Sequence, residues 1–176
     1  LPLASNPGVS VYVDHDADRG DFEIKDWDCG TDTYDRHQGT DFRAPLGTNV
    51  YAGAAGNIYD RCNDCDEGNP YNNCCGGFGN HVKISHANGT SIYAHFEKGT
   101  AHEKGDVTCG DQVGQSGNSG RTTGPHLHFE VVGKDPYSGR SSGSETYWLN
   151  WGGPGTSPAT SCQPAKEDEY SLKVIK

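Results

Sequence analysis

The stretch Gly124-Pro125-His126-Leu127-His128-Phe129-Glu130 predicts the start of a β-strand that carries two histidines two positions apart. Side chains two apart on a strand point to the same face of the sheet. His126 and His128 therefore share one face with Glu130. The apolar side chains of this strand share the opposite face, which we expect to pack into the core: Leu127, Phe129 and Val131. Two neutral imidazoles on one sheet face form half of a metal site or of an acid–base site.

The composition of the chain indicates one domain built from short strands and turns. The chain has 176 residues, of which 32% are hydrophobic and 25 are glycine, and this balance favours short strands over long helices. We therefore expect residues 1–176 to form a single domain. The net charge of −10 argues against a nucleic-acid partner, and no apolar run is long enough to span a bilayer.

The first residues and the cysteines favour an exported protein. The sequence begins Leu1-Pro2-Leu3 and contains no methionine, so we expect a processed product that is secreted. The chain has seven cysteines, at positions 29, 62, 65, 74, 75, 109 and 162. Such a number in a chain of this size predicts disulfide bonds in an oxidising compartment. Because seven is odd, one thiol stays free or pairs outside the chain.

Four of the cysteines lie in a segment at residues 61–79, which we name the cysteine-rich insert. Cys62 and Cys65 are followed by the adjacent pair Cys74 and Cys75. These residues could form either a structural zinc site or two disulfides. Adjacent cysteines fit a tetrahedral site poorly, so we favour the disulfides.

Residues 14–21 space carboxylates two apart before a glycine, which is an arrangement that suits calcium. Gly20 comes one place too late for an EF-hand, and Lys25 stands where a bidentate glutamate is needed. We favour a solvated acidic loop over a calcium site.

Two alternating segments, Asn80–His86 and Thr90–Phe96, predict strands that an Asn-Gly pair joins as a hairpin. His81 and His86 are expected at the surface. Shorter strands are predicted at residues 9–13, 50–52, 56–60, 112–115 and 170–175.

In the second strand of this hairpin, Ile92 and Ala94 alternate with Tyr93 and His95. The alternation predicts that His95 lies near the end of the strand and faces away from Ile92 and Ala94.

Five side chains are candidates for a metal or acid–base site: His37, Asp41, His95, His126 and His128. A catalytic zinc ion takes three protein ligands and leaves one coordination position open. Five candidates therefore leave two groups for acid–base work. Strand geometry alone does not decide which of the two histidines at 126 and 128 binds the metal.

Three motifs resemble, in the same order, the signature of the lysostaphin/LytM-type zinc endopeptidases, a family that includes secreted staphylolysin-like and β-lytic enzymes. The likeness runs from about residue 37 to residue 132. The motifs are His37-x-Gly39-x-Asp41, Tyr93-Ala94-His95, and Ser116-Gly117-Asn118 followed by Gly124-Pro125-His126-Leu127-His128-Phe129-Glu130.

The resemblance implies one catalytic zinc ion held by His37, Asp41 and His128. It implies catalytic roles for His95 and His126: one imidazole takes a proton from water, and the other hydrogen-bonds the developing oxyanion. Which imidazole does which stays open. Glu130 either orients an imidazole or is solvated at the end of its strand, and we favour the solvated position.

The resemblance also implies a fold and an activity. The fold is a curved antiparallel sheet with little helix, carrying the site in a groove walled by loops. The activity is hydrolysis of peptide bonds next to glycine, in peptidoglycan cross-bridges or in glycine-rich proteins such as elastin, by a monomeric enzyme. The alternatives are a non-catalytic cell-wall-binding or activator module on the same fold, and a disulfide-stapled structural protein. The presence of all five candidate side chains favours the enzyme.

Overall fold

Nine β-strands and one 3-10 turn form the regular structure of the part of the chain that the computed structural model describes, residues 2–4, 7–14, 24, 31–87 and 89–133. The strands are β1 Val9–Val11, β2 Thr40–Phe42, β3 Asn49–Tyr51, β4 Gly56–Cys62, β5 Asn80–His86, β6 Gly89–Phe96, β7 Gly105–Val107, β8 Gln112–Gln115 and β9 Leu127–Gly133. The 3-10 turn spans Cys74–Gly77.

Seven of the strands form one sheet in the order β1-β2-β9-β6-β5-β4-β7, and β3 pairs with β8 in a second, two-stranded sheet. Every pairing is antiparallel. The prediction of a mainly antiparallel β fold with little helix is confirmed. No helix among the described residues is long and apolar enough to cross a membrane. The predicted strand at residues 170–175 lies outside the described residues.

The core lies on the face of the large sheet to which β9 contributes its apolar side chains. Leu127, Phe129 and Val131 are all buried there, as their alternation predicts. The hairpin of β5 and β6 is also present, with His86 paired to Gly89.

The facing of β6 differs from the prediction. Tyr93 is fully buried in the core, and its ring centroid lies 5.0 Å from that of Phe129. Its hydroxyl accepts a 2.9 Å hydrogen bond from the backbone N–H of Gly53, so the phenol is satisfied where it is buried. Ala94 pairs with His128 and therefore lies on the opposite face. The expectation that Ile92 and Ala94 share the face away from the candidate site was wrong, because the larger aromatic ring fills the core.

A β-bulge changes the direction of the side chains at the end of β6. Asn80 pairs with Phe96 and Val82 pairs with Tyr93, so one residue of β5 lies opposite two residues of β6. His95, in the bulge, has a φ of 63°, in the left-handed region that non-glycine residues rarely adopt. Strict alternation therefore fails at this point, and His95 lies on the same face as Ala94.

Disulfides close the cysteine-rich insert, as predicted. Cys62 bonds to Cys75, and Cys65 bonds to Cys74. Cys109 is also disulfide-bonded. The two remaining cysteines of the sequence lie outside the described residues.

Two polar side chains that we expected to be solvated are buried instead. His81 is only 3% exposed, and its Nδ1 donates to the carbonyl oxygen of Gly79 over 2.9 Å. Asp14 is 2% exposed, and its Oδ2 accepts a 2.8 Å hydrogen bond from the backbone N–H of Arg36. A buried carboxylate needs such partners. Asp14 is therefore part of the buried structure and not of a solvated loop. Residues 15–21 lie outside the described residues.

Candidate active site

His37 is held by the segment that precedes β2. Its Nδ1 donates a 2.6 Å hydrogen bond to the carbonyl oxygen of Tyr12, which aims Nε2 into the site. The backbone carbonyl of His37 accepts from the N–H of Asp14 over 2.8 Å. The ring of Tyr34 stacks on the imidazole with centroids 4.4 Å apart. These contacts hold the His37 ring from the side that faces away from Asp41 and His128.

Asp41 and His128 face each other across two neighbouring strands. Asp41 on β2 pairs in register with His128 on β9, so their side chains project from the same face. Asp41 Oδ1 lies 2.9 Å from His128 Nδ1 and 3.1 Å from His37 Nε2. The two imidazole nitrogens are 3.3 Å apart. Three donor atoms from three separate segments therefore meet at one point.

Gly39 makes room for this arrangement. A Cβ at this position would lie 2.6 Å from Cε1 and Nε2 of His128 and 2.7 Å from the carbonyl oxygen of Phe129. Real Cβ atoms essentially never approach so closely. Any larger residue at position 39 would push the His128 ring out of the cluster.

The three donor atoms suit a metal ion such as zinc. His37, Asp41 and His128 each offer one ligand atom, and these atoms lie within 4.8 Å of one another. Ligand atoms about 2.0–2.1 Å from a tetrahedral zinc ion are about 3.3 Å apart. The observed separations of 2.9–3.3 Å are therefore close to what the ion requires. Two imidazoles and one carboxylate are also the residue types that zinc selects.

The charges in the cluster are strongly coupled. Burial on its own would raise the pKa of Asp41, but hydrogen bonds from His128 and His37 hold that pKa well below its usual range. Burial would likewise lower the pKa of His128, yet Asp41 and Glu130 raise it to about 9. The carboxylate is thus ionised, and in the absence of a metal the His128 imidazole carries the compensating proton.

Two further imidazoles stand beside the three donors. His95 Nδ1 donates to the carbonyl oxygen of Ser119 over 2.8 Å, and His126 Nδ1 donates to that of Gly124 over 2.9 Å. Each ring therefore presents Nε2 to the site. The two ring centroids are 4.7 Å apart, and His126 Nε2 lies 3.6 Å from Asp41 Oδ1. Burial, followed by the nearby His126, lowers the pKa of His95 to about 3, so this ring is neutral at pH 7.

All five side chains singled out in the sequence thus meet at one end of the β9, β6 and β2 strands. The matching family model is that of peptidase family M23, and it covers residues 35–139, more than half of the chain. The chain belongs to peptidase family M23. The predicted likeness to the lysostaphin/LytM-type peptidases is confirmed, and the members of this family are metal-dependent peptidases.

Individual relatives agree with the family assignment. The chain is 40% identical over 100 residues to the DD-carboxypeptidase/endopeptidase Mpg of Neisseria meningitidis, covering 56% of this chain and 20% of that protein. It is 39% identical over 97 residues to the peptidoglycan DD-endopeptidase ShyA of Vibrio cholerae, covering 54% of this chain and 20% of that protein. The chain thus spans about a fifth of the length of these curated relatives.

Among solved structures, the catalytic domain of the antimicrobial peptidase lysostaphin from Staphylococcus simulans is similar to this chain. The TM-score is 0.50 at 25% sequence identity, and the match covers 65% of this chain and 80% of the lysostaphin domain. The shared fold supports the M23 assignment.

Glu130 of this M23 site lies in a different environment from the one that its sequence position predicted. Glu130 was expected at a solvated strand end, but it is 5% exposed. Its Oε2 lies 3.7 Å from His128 Nε2. The signal that could have found it was present, because positions 126, 128 and 130 share one face of β9. Glu130 therefore stands behind a candidate metal ligand, on the side away from Asp41.

The position of His95 in the M23 site also depends on features that the sequence pattern did not show. Its backbone N–H donates to the carbonyl oxygen of Phe78 in the cysteine-rich insert over 2.9 Å. The Phe78 ring in turn lies 5.9 Å from the His128 ring, centroid to centroid. The insert is thus in direct contact with the candidate site.

Proposed function

We propose that this M23 chain is a zinc-dependent endopeptidase, secreted in its mature form, that hydrolyses peptide bonds next to glycine in peptidoglycan cross-bridges or in glycine-rich proteins such as elastin. The observation that carries the proposal is the meeting of His37 Nε2, Asp41 Oδ1 and His128 Nδ1 within 2.9–3.3 Å of one another. A shared metal ion best explains why three buried ligand atoms lie so close together.

In this proposal His37, Asp41 and His128 hold the zinc ion. When bound, zinc supplies polarisation of a peptide carbonyl and a lowered pKa for a water molecule, which are the two needs of amide hydrolysis. The hydrogen bond from His37 Nδ1 to Tyr12 keeps Nε2 free to be a ligand. On the opposite side, His128 commits Nδ1 to the cluster and presents Nε2 toward Glu130.

His95 and His126 perform the proton transfers. Because both rings donate Nδ1–H to a backbone carbonyl, each has only Nε2 available for the reaction. One ring, with its Nε2 protonated from solvent beforehand, donates a hydrogen bond to the carbonyl oxygen as negative charge develops there. Nε2 of the other ring, which is neutral, accepts the proton of the attacking water. The proton then passes to the leaving amine. Neither role requires a glutamate base.

Peptidoglycan is the favoured substrate class because of the relatives. ShyA is named a peptidoglycan DD-endopeptidase, and Mpg a DD-carboxypeptidase/endopeptidase. The net charge of −10 gives no electrostatic attraction to an anionic cell wall, which keeps glycine-rich proteins among the candidates. The two disulfides of the insert support an oxidising, extracellular location.

The test is a comparison of three substrates: a pentaglycine peptide, a cross-linked muropeptide that contains a D,D-peptide bond, and insoluble elastin. Each is incubated with the oxidised protein, with the protein plus a zinc chelator, and with the chelated protein after zinc is added back. We expect cleavage of at least one cell-wall peptide, loss of cleavage with chelator, and recovery with zinc. Cleavage that persists in chelator would contradict the proposed chemistry.

A non-catalytic cell-wall-binding module is the second candidate function. Binding to peptidoglycan with no cleavage of any of the three substrates, by protein that carries zinc, would favour it. The complete set of five side chains at the site favours the enzyme, since a module that only binds has no need of the two Nε2 atoms outside the metal cluster.

A further inference from the structure

A second group of possible metal ligands lies in the cysteine-rich insert. The Sγ atoms of Cys62, Cys65, Cys74 and Cys75 all lie within 4.8 Å of one another. Although they are joined as two disulfides, Sγ atoms that belong to different disulfides are also close: those of Cys62 and Cys65 are 3.4 Å apart. Four sulfurs around a tetrahedral zinc ion, each about 2.3 Å from it, are about 3.8 Å apart. Sulfurs of different disulfides thus already lie near the spacing of a four-cysteine zinc site, and the two sulfurs of each disulfide would move apart to that spacing on reduction.

We propose that the reduced form of this cluster is a zinc site, in which the four thiolates hold one zinc ion in place of the two disulfides. This site is separate from the His37–Asp41–His128 cluster, and the proposal does not depend on the peptidase activity. It would make the cysteine-rich insert stable in both redox states, with sulfur–sulfur bonds in one and zinc–sulfur bonds in the other.

The backbone conformation removes the objection that adjacent cysteines fit a tetrahedral site poorly. Cys75 has φ 49° and ψ 45°, in the left-handed region. In an extended chain, two consecutive side chains would point to opposite sides. Here the left-handed turn directs the side chains of Cys74 and Cys75 to the same side, where the sulfurs of Cys65 and Cys62 lie.

Contacts other than the disulfides hold the cysteine backbones together. The N–H of Cys65 donates to Asn80 Oδ1 over 2.7 Å, and Asn80 Nδ2 donates back to the carbonyl oxygen of Cys65 over 3.0 Å. Cys62 pairs with His81 in the sheet, and the N–H of Gly79 donates to the carbonyl oxygen of Cys74 over 3.2 Å. None of these bonds involves a sulfur atom, so reduction does not break them directly, and we expect the thiolates to be presented to zinc from a partly formed site.

The conversion balances with a named reductant. A water-soluble trialkylphosphine reduces each disulfide by two electrons and leaves as its oxide, with the oxygen and the two thiol protons supplied by one water molecule. Zinc binding then displaces the thiol protons, because the thiolate is the ligand. Two disulfides therefore require two phosphines and give one four-thiolate site.

The redox state of the cysteine-rich insert affects backbone contacts of the candidate active site. Gly77 and Phe78 follow the cysteine pair by two and three residues. The carbonyl oxygen of Phe78 accepts a 2.9 Å hydrogen bond from the N–H of His95, and that of Gly77 accepts a 2.8 Å hydrogen bond from the N–H of Arg121. Loss of both disulfides without a replacement would loosen these contacts. Zinc at the four thiolates would maintain them.

The test uses cobalt as a probe, because thiolate ligands give Co²⁺ a charge-transfer absorption in the near ultraviolet that imidazole and carboxylate ligands do not. Metal-free full-length protein is titrated with Co²⁺ under anaerobic conditions, once oxidised and once after phosphine reduction. We expect about one equivalent and no thiolate band for the oxidised protein. We expect about two equivalents and a thiolate band for the reduced protein.

Two variants make the result specific to the cluster. Replacing Cys65 and Cys74 together by serine should abolish the thiolate band, whereas replacing Cys109, which lies outside the cluster, should leave it unchanged. Because the band reports bound thiolates, it is informative even if a reduced variant is only partly folded. A reduced wild-type protein without the band would overturn the proposal, and so would a band of equal strength in the double-serine variant.

Discussion

Oε2 of Glu130 lies 3.7 Å from Nε2 of His128, and neither atom has a hydrogen-bond partner among the described residues. Nδ1 of the same ring faces Asp41 at 2.9 Å. The imidazole is therefore placed between two carboxylates: Asp41, which belongs to the proposed metal site, and Glu130, which lies behind it. A carboxylate behind a metal-bound histidine fixes the tautomer of the ring and increases its basicity.

Replacing Glu130 by Gln should therefore weaken zinc binding without unfolding the protein. We expect a loss of roughly 10-fold to 100-fold in zinc affinity, measured by competition with a coloured chelator. Glu103→Gln is the matched control, because the Glu103 side chain is 80% exposed and pairs with Arg61 far from the cluster in sequence. Equal zinc affinities in the two variants would show that Glu130 does not act on His128.

Zinc content should distinguish the two imidazoles proposed to act in catalysis from the three proposed metal ligands. His95→Gln and His126→Gln should each lower kcat by about 10²–10⁴-fold and leave the zinc content unchanged. His128→Ala should remove zinc and activity together. Zinc content is measured by atomic emission on dialysed protein, beside kcat on the best substrate. If His95→Gln loses zinc while His128→Ala keeps it, the assignment of ligands is wrong.

Gly39→Ala tests the close approach of β2 to His128. The added methyl group would contact the His128 ring at 2.6 Å and the Phe129 carbonyl oxygen at 2.7 Å. We expect a loss of about 1–3 kcal/mol in the free energy of unfolding, measured by urea denaturation. We also expect weaker zinc binding. In Gly124→Ala the new Cβ would meet nothing within 4 Å, and the carbonyl that orients His126 is retained. This control should behave as wild type. Similar losses in both variants would contradict the steric argument.

Asp14→Ala tests the support of His37. The substitution leaves the N–H of Arg36 without its 2.8 Å acceptor, and this N–H precedes a candidate ligand by one residue. We expect a loss of about 1–3 kcal/mol in the free energy of unfolding and a lower zinc affinity. Asp106→Ala is the control, because Asp106 lies on the edge strand β7, where its carboxylate accepts an exposed hydrogen bond from Asn57. Unchanged zinc affinity in Asp14→Ala would mean that His37 is positioned by other contacts alone.

Strand β9 was predictable because one of its faces is apolar and the other is not. Leu127 and Phe129 are large and hydrophobic, and His128 and Glu130 alternate with them, so the period of two gave both the strand and its facing. The grouping of His37 and Asp41 with this strand followed from the resemblance rather than from periodicity. The hairpin of β5 and β6 followed from the Asn-Gly pair between its strands.

Strand β6 was not predictable in the same way. Its residues from Ser91 to Phe96 are buried on both faces of the sheet, so alternation could not tell which face carried the core. The bulge at His95 is set by pairing with β5, which is not visible in the β6 sequence. The burial of Glu130 likewise depends on what packs over the sheet. Tertiary contacts therefore decided the features that local pattern left open.

We propose that one zinc ion held by His37, Asp41 and His128 makes this chain a peptidase. The most direct measurement is a zinc titration of the oxidised, metal-free protein with peptide-bond cleavage as the readout, in parallel with His128→Ala. Activity should rise in proportion to added zinc, reach its plateau at about one equivalent per chain, and stay at background in the variant. Full activity before zinc is added, or equal activity in His128→Ala, would contradict the account.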